Sequence, residues 1–321
     1  MKDFRNIILD FPDQFKTGFE ITKNLKIKDC FKNIIFCGMG NSIIPAEITF
    51  TLFPNLPSSF HIHRDFHLPA WVTQSDLVIC ISWSGNTAET VSSYESAKKT
   101  GAKILTITKG GQLGELAKNN KDLLIQLPQE NIPPRNGVGY MFTALLTILV
   151  NSNMLTFNLE ELSNLREGVK PERLEKKGKE LAEKIGNQIP LIYSSFQNRF
   201  LASFWKVNFN ENSKIHAFWN YFPNLAHNEI AGFSGGNNFF VFFLNDDKEI
   251  SRQQKKLLVA RNLMEENGTP YEWLELEGPT RIERIFNNFI LSDWASYYLA
   301  KKRGVEPTET EMIERFKEME K

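Results

Sequence analysis

Short apolar runs recur along the first half of the chain, at residues 33–37, 60–63, 77–81, 103–107 and 122–127, and polar or helix-patterned stretches separate them. Runs of this length without polar alternation are the pattern of parallel strands covered on both faces. A helix over residues 87–99 fits between two of them, and the apolar residues 140–150 predict another. Strand and helix therefore alternate as in a doubly wound α/β sheet. Pro133-Pro134-Arg135-Asn136-Gly137 interrupts the alternation, so the helix after it is expected to close the first domain. Between residues 159 and 184 charged side chains dominate, which predicts a solvated, partly helical connector. A second cycle follows, with strands at 189–195, 238–244 and 271–276 and helices at 252–267 and 280–303. The last helix carries Ile282, Ile285, Phe286 and Phe289 at helical spacing. The expected organisation is an N-terminal extension and first domain over residues 1–155, a charged helical connector over 156–185, and a second domain with a C-terminal helix over 186–321.

The length of 321 residues suits two such cores. With 38 basic and 38 acidic side chains, the chain lacks the broad positive field that nucleic-acid binding calls for, and a small anion held in a local site fits better. Cys30, Cys37 and Cys80 form no Cys-x-x-Cys pair, and two of them lie in apolar strands. Reduced thiols and a cytoplasmic protein are expected. The charged start Met1-Lys2-Asp3-Phe4-Arg5 has no cleavable apolar core, and the longest apolar stretch, near 144–150, is too short to span a bilayer. Neither export nor membrane insertion is expected.

The candidate chemistry lies at the strand ends, where open parallel sheets bind ligands. Ser82-Trp83-Ser84-Gly85-Asn86-Thr87 follows the run at 77–81 and leads into a helix. Hydroxyls and helix-start N–H groups converging there form a phosphate cradle, although one or two of the hydroxyls would equally serve as helix caps. Gly38-Met39-Gly40-Asn41-Ser42 adds a further hydroxyl beside it; it lacks the third glycine of a dinucleotide site, and the chain contains no P-loop. Arg135, after two prolines, reads either as a fixed guanidinium for a developing oxyanion or as an exposed loop residue. Glu211 sits among Asn208, Asn210 and Asn212 at the end of an aromatic helix, where flanking amides would orient a general base; the plainer reading is a helix C-terminus. His227 stands beside Glu229 and is either a proton carrier or a structural residue. His61 and His63 lack partners at metal-ligand spacing, so no metal site is read.

Taken in order, the 82–90 loop, the Pro-Pro-Arg135 turn, Asn210-Glu211-Asn212-Ser213-Lys214, Phe218-Trp219-Asn220-Tyr221-Phe222-Pro223, His227-Asn228-Glu229-Ile230 and Gly304-Val305-Glu306-Pro307-Thr308 resemble the bifunctional phosphoglucose/phosphomannose isomerases, built from two sugar isomerase (SIS) domains in tandem. The resemblance implies a cofactor-free, metal-free aldose–ketose isomerisation of glucose 6-phosphate and fructose 6-phosphate, extending to mannose 6-phosphate. It also implies a homodimer with active sites at the subunit interface. Ser42, Ser82, Ser84, Thr87 and Gly40 would hold the phosphate. Glu211 would carry the proton between C2 and C1 through a cis-enediolate, and Arg135 would stabilise its charge. His227 from the partner subunit and Lys317 would assist ring opening, while Thr310 would leave room for both C2 epimers. Asn41 and Ile43 depart from the family turn, where small residues are usual; they are expected to narrow the first phosphate wall or alter its backbone angles. The competing class is a non-catalytic sugar-phosphate-binding SIS protein, which would not need Glu211, Arg135 or His227; an isomerase for another sugar phosphate is the second alternative.

Overall fold

The computed structural model describes residues 2–54, 59–236, 238–249 and 251–319. It comprises two compact units, one of residues 10–167 and one of residues 168–321 together with residues 1–9. Two short helices, α1 (Phe4–Leu9) and α2 (Asp13–Glu20), open the chain, the first in the second unit and the second in the first.

The first unit is a five-stranded parallel sheet, β1 (Asn33–Cys37), β2 (Ser59–His63), β3 (Leu77–Ser82), β4 (Lys103–Thr108) and β5 (Leu123–Gln126), in the order β2-β1-β3-β4-β5. Central β3 is buried at every position, as its unbroken apolar run requires of a strand covered on both faces. Helices α3 (Ile44–Leu52), α4 (Ala88–Thr100), α5 (Gly111–Asn119) and α6 (Val138–Asn151) follow the strands. Ile35, Phe36, Val78, Ile79 and Ile81 are all fully buried, each contributing about 1.5–3 kcal/mol of apolar burial. Helix α2 crosses α6 closely because each presents a glycine to the other: a Cβ on Gly18 would come 2.8 Å from the Tyr140 carbonyl oxygen, and one on Gly139 would come 2.9 Å from the Gln14 Cβ. Cys37 and Cys80 face each other across β1 and β3 as buried free thiols.

Helix α7 (Glu160–Gly168) spans the division between the units, and α8 (Pro171–Ile185) lies inside the second, so the charged segment at 156–185 is shared between them. Its charges hide a narrow apolar stripe: Leu174, Leu181, Ala182 and Ile185 of α8 are buried. The second sheet, β6 (Ile189–Ser195), β7 (Phe218–Phe222), β8 (Phe239–Asn245) and β9 (Tyr271–Glu275), is parallel in the order β7-β6-β8-β9 and repeats the order β2-β1-β3-β4. Helices α9 (Arg199–Asn212), α10 (Ser251–Glu266), α11 (Arg281–Arg303) and α12 (Glu311–Met319) complete it. Helix α11 opens with a reciprocal cap in which Glu283 N donates to Thr280 Oγ1 at 3.2 Å and Thr280 N donates to the Glu283 carboxylate at 2.9 Å. Helices α8 and α11 pack at Gly178, where a Cβ would lie 2.3 Å from that of Trp294. Helix α1 is held on the same pair: Arg5 forks Glu175 with two bonds of 2.8 Å and Phe4 stacks on Tyr297. Among the described residues no helix is long and apolar enough to cross a membrane.

Candidate active site

The turn between β3 and α4 is held by hydroxyls that accept bonds from its backbone. Ser82 Oγ accepts from Gly85 N at 3.1 Å, Ser84 Oγ from Asn86 N at 3.2 Å, and Ser42 Oγ from Trp83 N at 3.2 Å. The Ser82 and Thr87 hydroxyls share a bond of 2.9 Å. A hydroxyl whose oxygen is already engaged as acceptor still has its proton to give. Ser42, Ser84 and one of the Ser82–Thr87 pair are therefore set up as donors. Thr87 is the N-cap of α4 without a side-chain capping bond, so the N–H groups of the first helical turn also lack an intrahelical partner. Neutral donors and a helix start converging at one strand end favour an anion.

Glycines set this geometry. Gly85 has φ +73°, and a Cβ there would lie 1.7 Å from the Gly110 carbonyl oxygen. The loop is thereby pressed onto the turn after β4, where Leu113 N donates to Gly85 O at 2.8 Å and Gln112 N to Asn86 Oδ1 at 3.0 Å. In the turn after β1, Gly40 takes the positive φ of +53°, whereas Ile43 is right-handed at −91° and buried. The two departures at Asn41 and Ile43 thus incur no left-handed strain.

Arg135 lies in a short 3-10 turn, Pro134–Gly137, and is 1% exposed, which removes the surface-arginine reading. This turn packs against the one carrying Ser42. The Trp83 ring, between two cradle serines, closes on Gly137, where a Cβ would fall 2.4 Å from it. Lys109, at the end of β4, holds its ammonium 5.7 Å from the centre of that ring. Cradle and arginine turn thus form one packed assembly in the first unit.

In the second unit Glu211 is half-buried in the last turn of α9. The flanking amides turn elsewhere: Asn208 Nδ2 donates to Ser292 Oγ and Asp293 Oδ1, Asn212 Nδ2 to Ser296 Oγ, each at 2.8 Å, and Asn210 Oδ1 accepts from Ala217 N. They lock α9 onto α11 and its exit strand, so Glu211 is oriented through its helix. Lys214 Nζ bonds the carbonyls of both Glu211 and Glu309, which brings the half-buried Thr310 segment to the end of α9. His227 is exposed in a 3-10 turn, Asn224–His227, after β7. Two residues on, Glu229 fastens that turn: Tyr193 OH donates to one carboxylate oxygen at 2.7 Å and Asn220 Nδ2 to the other. Burial, reinforced by the Glu229 bond, pushes the Tyr193 phenol far up, so it stays a donor. Lys317 is exposed on α12 and paired with Glu314 at 2.8 Å. Lys214 thus ties the backbone at Glu211 to that at Glu309, next to Thr310, while His227 and Lys317 stand on separate exposed segments.

The equivalent strand ends of the second sheet are filled by side chains of the unit itself. Asp246 pairs with Arg281 and Arg284, and Glu249 accepts from Ser195 Oγ at 2.6 Å and Asn198 Nδ2 at 2.8 Å. Burial raises the Glu249 carboxyl pKa, and its hydrogen bond from Ser195 opposes this. The uncharged cradle accordingly belongs to the first unit.

Sequence reasoning passed over Trp83, Lys109, Gly110, Tyr193 and Asn220, because each acts across a gap in the chain. The Gly110-Gly111 pair after a strand was the one signal that a backbone had to come close there. Ser84→Ala combined with Thr87→Ala removes donors without disturbing the glycines. The affinity for a phosphorylated polyol should fall by roughly 10²-fold, since a bond to a charged acceptor contributes about 1.5–3 kcal/mol; titration calorimetry showing unchanged affinity would place the anion elsewhere.

Residues 29–156 match the SIS domain, and residues 174–319 match the bacterial phospho-glucose isomerase C-terminal SIS domain. A bifunctional phosphoglucose/phosphomannose isomerase of Aquifex aeolicus is 33% identical over 327 residues, covering 99% of this chain and 98% of the relative. A D-glucosamine-6-phosphate 4-epimerase of Sulfolobus acidocaldarius is 29% identical and covers 89% of this chain and 89% of its own. The C-terminal domain of glucosamine-fructose-6-phosphate aminotransferase from Francisella tularensis superposes with a TM-score of 0.78 at 16% identity, covering 97% of this chain and 99% of that one, a likeness of fold alone. With relatedness of this extent through both units, the chain belongs to the bifunctional phosphoglucose/phosphomannose isomerase family.

Proposed function

We propose that the protein interconverts glucose 6-phosphate, and mannose 6-phosphate, with fructose 6-phosphate. The observation that carries this reading is the uncharged cradle, in which Ser42, Ser84 and the Ser82–Thr87 pair retain protons to donate. These hydroxyls, the first turn of α4 and the approach at Gly40 hold the 6-phosphate. On the open-chain aldose, Glu211 takes the C2 proton, the C1–C2 double bond forms, and the electron pair moves to O1. The buried Arg135 guanidinium stabilises that charge. The hydroxyl proton passes from O2 to O1, Glu211 returns its proton to C1, and C2 becomes the carbonyl carbon. His227 and Lys317 serve ring opening, with His227 supplied by the partner of a homodimer, a role that its exposure on its own unit suits. Thr310, next to the Glu309 carbonyl that Lys214 ties to the end of α9, borders C2. The substrate class and the free thiols fit a cytoplasmic enzyme.

NMR of the protein in deuterated water, with glucose, mannose, fructose and glucosamine 6-phosphates in parallel, tests the reading. Conversion of aldose to fructose 6-phosphate with solvent deuterium entering at C1 or C2 is expected. Inversion at C4 of glucosamine 6-phosphate without aldose–ketose conversion would assign the 4-epimerase chemistry of the second relative instead.

A further inference from the structure

Helix α2 lies before residue 29, outside the segment that matches the SIS domain. It nonetheless carries a buried polar side chain aimed at the arginine turn. Gln14 is 3% exposed; its Nε2 donates to the Asn136 carbonyl at 2.6 Å, and its Oε1 accepts from Tyr140 N at 3.3 Å. Both bonds fall at the junction between the Arg135 turn and α6. The N-cap of α6, Gly137, has no side chain to cap the helix, so the first N–H groups of α6 need an acceptor from elsewhere. A single 3-10 turn is held by few bonds of its own, and Asn136 N to Pro133 O at 2.9 Å is one of them. The approach is built for glutamine: a Cβ on Gly139 would lie 2.8 Å from Gln14 Oε1. Trp83 closes on Gly137 from within the cradle loop. The segment around Arg135 is thus gripped by the loop expected to bind phosphate and by the amide of α2.

We propose that Gln14 is a positioning residue for Arg135, clipping the turn so that the guanidinium is fixed where the enediolate charge develops; this rests on the role given to Arg135 above. Its effect is expected in the transition state more than in ground-state binding, because the hydrogen bonds that shape the cradle come from Gly85 N, Asn86 N and Trp83 N and not from Gln14. Gln14→Met keeps the volume and removes both bonds, and Gln14→Glu keeps an acceptor but loses the donor to Asn136. In whichever of these variants remains folded by circular dichroism, kcat should fall about 10- to 10²-fold with KM within about two-fold, the signature of misplacing a group that acts on the transition state. Affinity for a phosphorylated hydroxamate that mimics the enediolate should fall in parallel, while that for glucitol 6-phosphate stays within about two-fold. In an Arg135→Ala background the same Gln14 change should alter kcat less than about two-fold, since a residue acting through Arg135 has nothing left to position. Unchanged kcat in a folded Gln14 variant, or effects that multiply with those of Arg135→Ala, would overturn the inference and leave the isomerase reading intact. An Arg135→Ala protein with full kcat would instead remove the role of Arg135 itself.

Discussion

Glu211→Gln is expected to stop the exchange of the C2 proton of glucose 6-phosphate with solvent and to lower kcat by about 10²–10⁴-fold, the usual contribution of a positioned acid–base group. Affinity for glucitol 6-phosphate should stay within a few-fold, because a polyol has no acidic C–H for a base to remove and the proposed phosphate contacts do not include Glu211. The substitution is isosteric, and α9 is held on α11 by buried bonds from Asn208, Asn212 and Trp205 to Ser292, Ser296 and Asn288. Folding should therefore be preserved and the loss should be chemical. Proton NMR in deuterated water reads the result directly, and C2 exchange persisting at the wild-type rate would exclude Glu211 as the base.

The second large effect is expected at Gly85. In Gly85→Ala the new methyl would sit 1.7 Å from the Gly110 carbonyl oxygen and 2.8 Å from Thr108 Oγ1, at a φ of +73°. Left-handed backbone alone costs a non-glycine residue about 1–2 kcal/mol. The clash adds more, since neither the Gly110 carbonyl nor the core strand β4 can yield like a flexible side chain. The loop must lift, which breaks the bond from Leu113 N to Gly85 O and moves Ser84 and Thr87 off the α4 start. Calorimetry with glucitol 6-phosphate should show affinity lowered by at least about 10²-fold, the loss of two bonds to a charged oxygen. Gly186→Ala is the matched control: its φ of +57° is also positive, but nothing lies within 4 Å of the added Cβ. Its penalty should be confined to the backbone, and equal losses at the two glycines would contradict the packing argument.

How legible these features were depended on whether their physics is local. The buried strands of both sheets announce themselves as apolar runs, and β1 and β6 begin and end where the runs do. Edge strand β7 does not, because Phe218 is exposed and Trp219, Asn220 and Tyr221 are half-buried, so no continuous run forms. Helix α8 read as solvent-covered for a related reason: only one stripe of its surface is buried, and the charges on the other faces dominate its composition. The hydroxyl loop was legible as chemistry, since three hydroxyls and a glycine at a strand end already imply convergent donors. Its dependence on Gly110 was not, being a contact between turns after different strands. Asn208 and Asn212 misled because sequence proximity to Glu211 placed them beside the carboxylate, whereas helical geometry turns their amide donors to α11. Gln14 left no mark at all, as a single glutamine in an amphipathic helix has nothing in its neighbours to distinguish a buried clip from a solvated side chain.

The most direct test is a crystal structure of the assembled protein soaked with glucitol 6-phosphate. The phosphate oxygens should lie within about 3 Å of Ser84 Oγ and of the first N–H groups of α4, with the Glu211 carboxylate facing C1 and C2. A phosphate bound away from Ser84, or a Glu211 carboxylate turned to bulk solvent in the occupied site, would contradict the account.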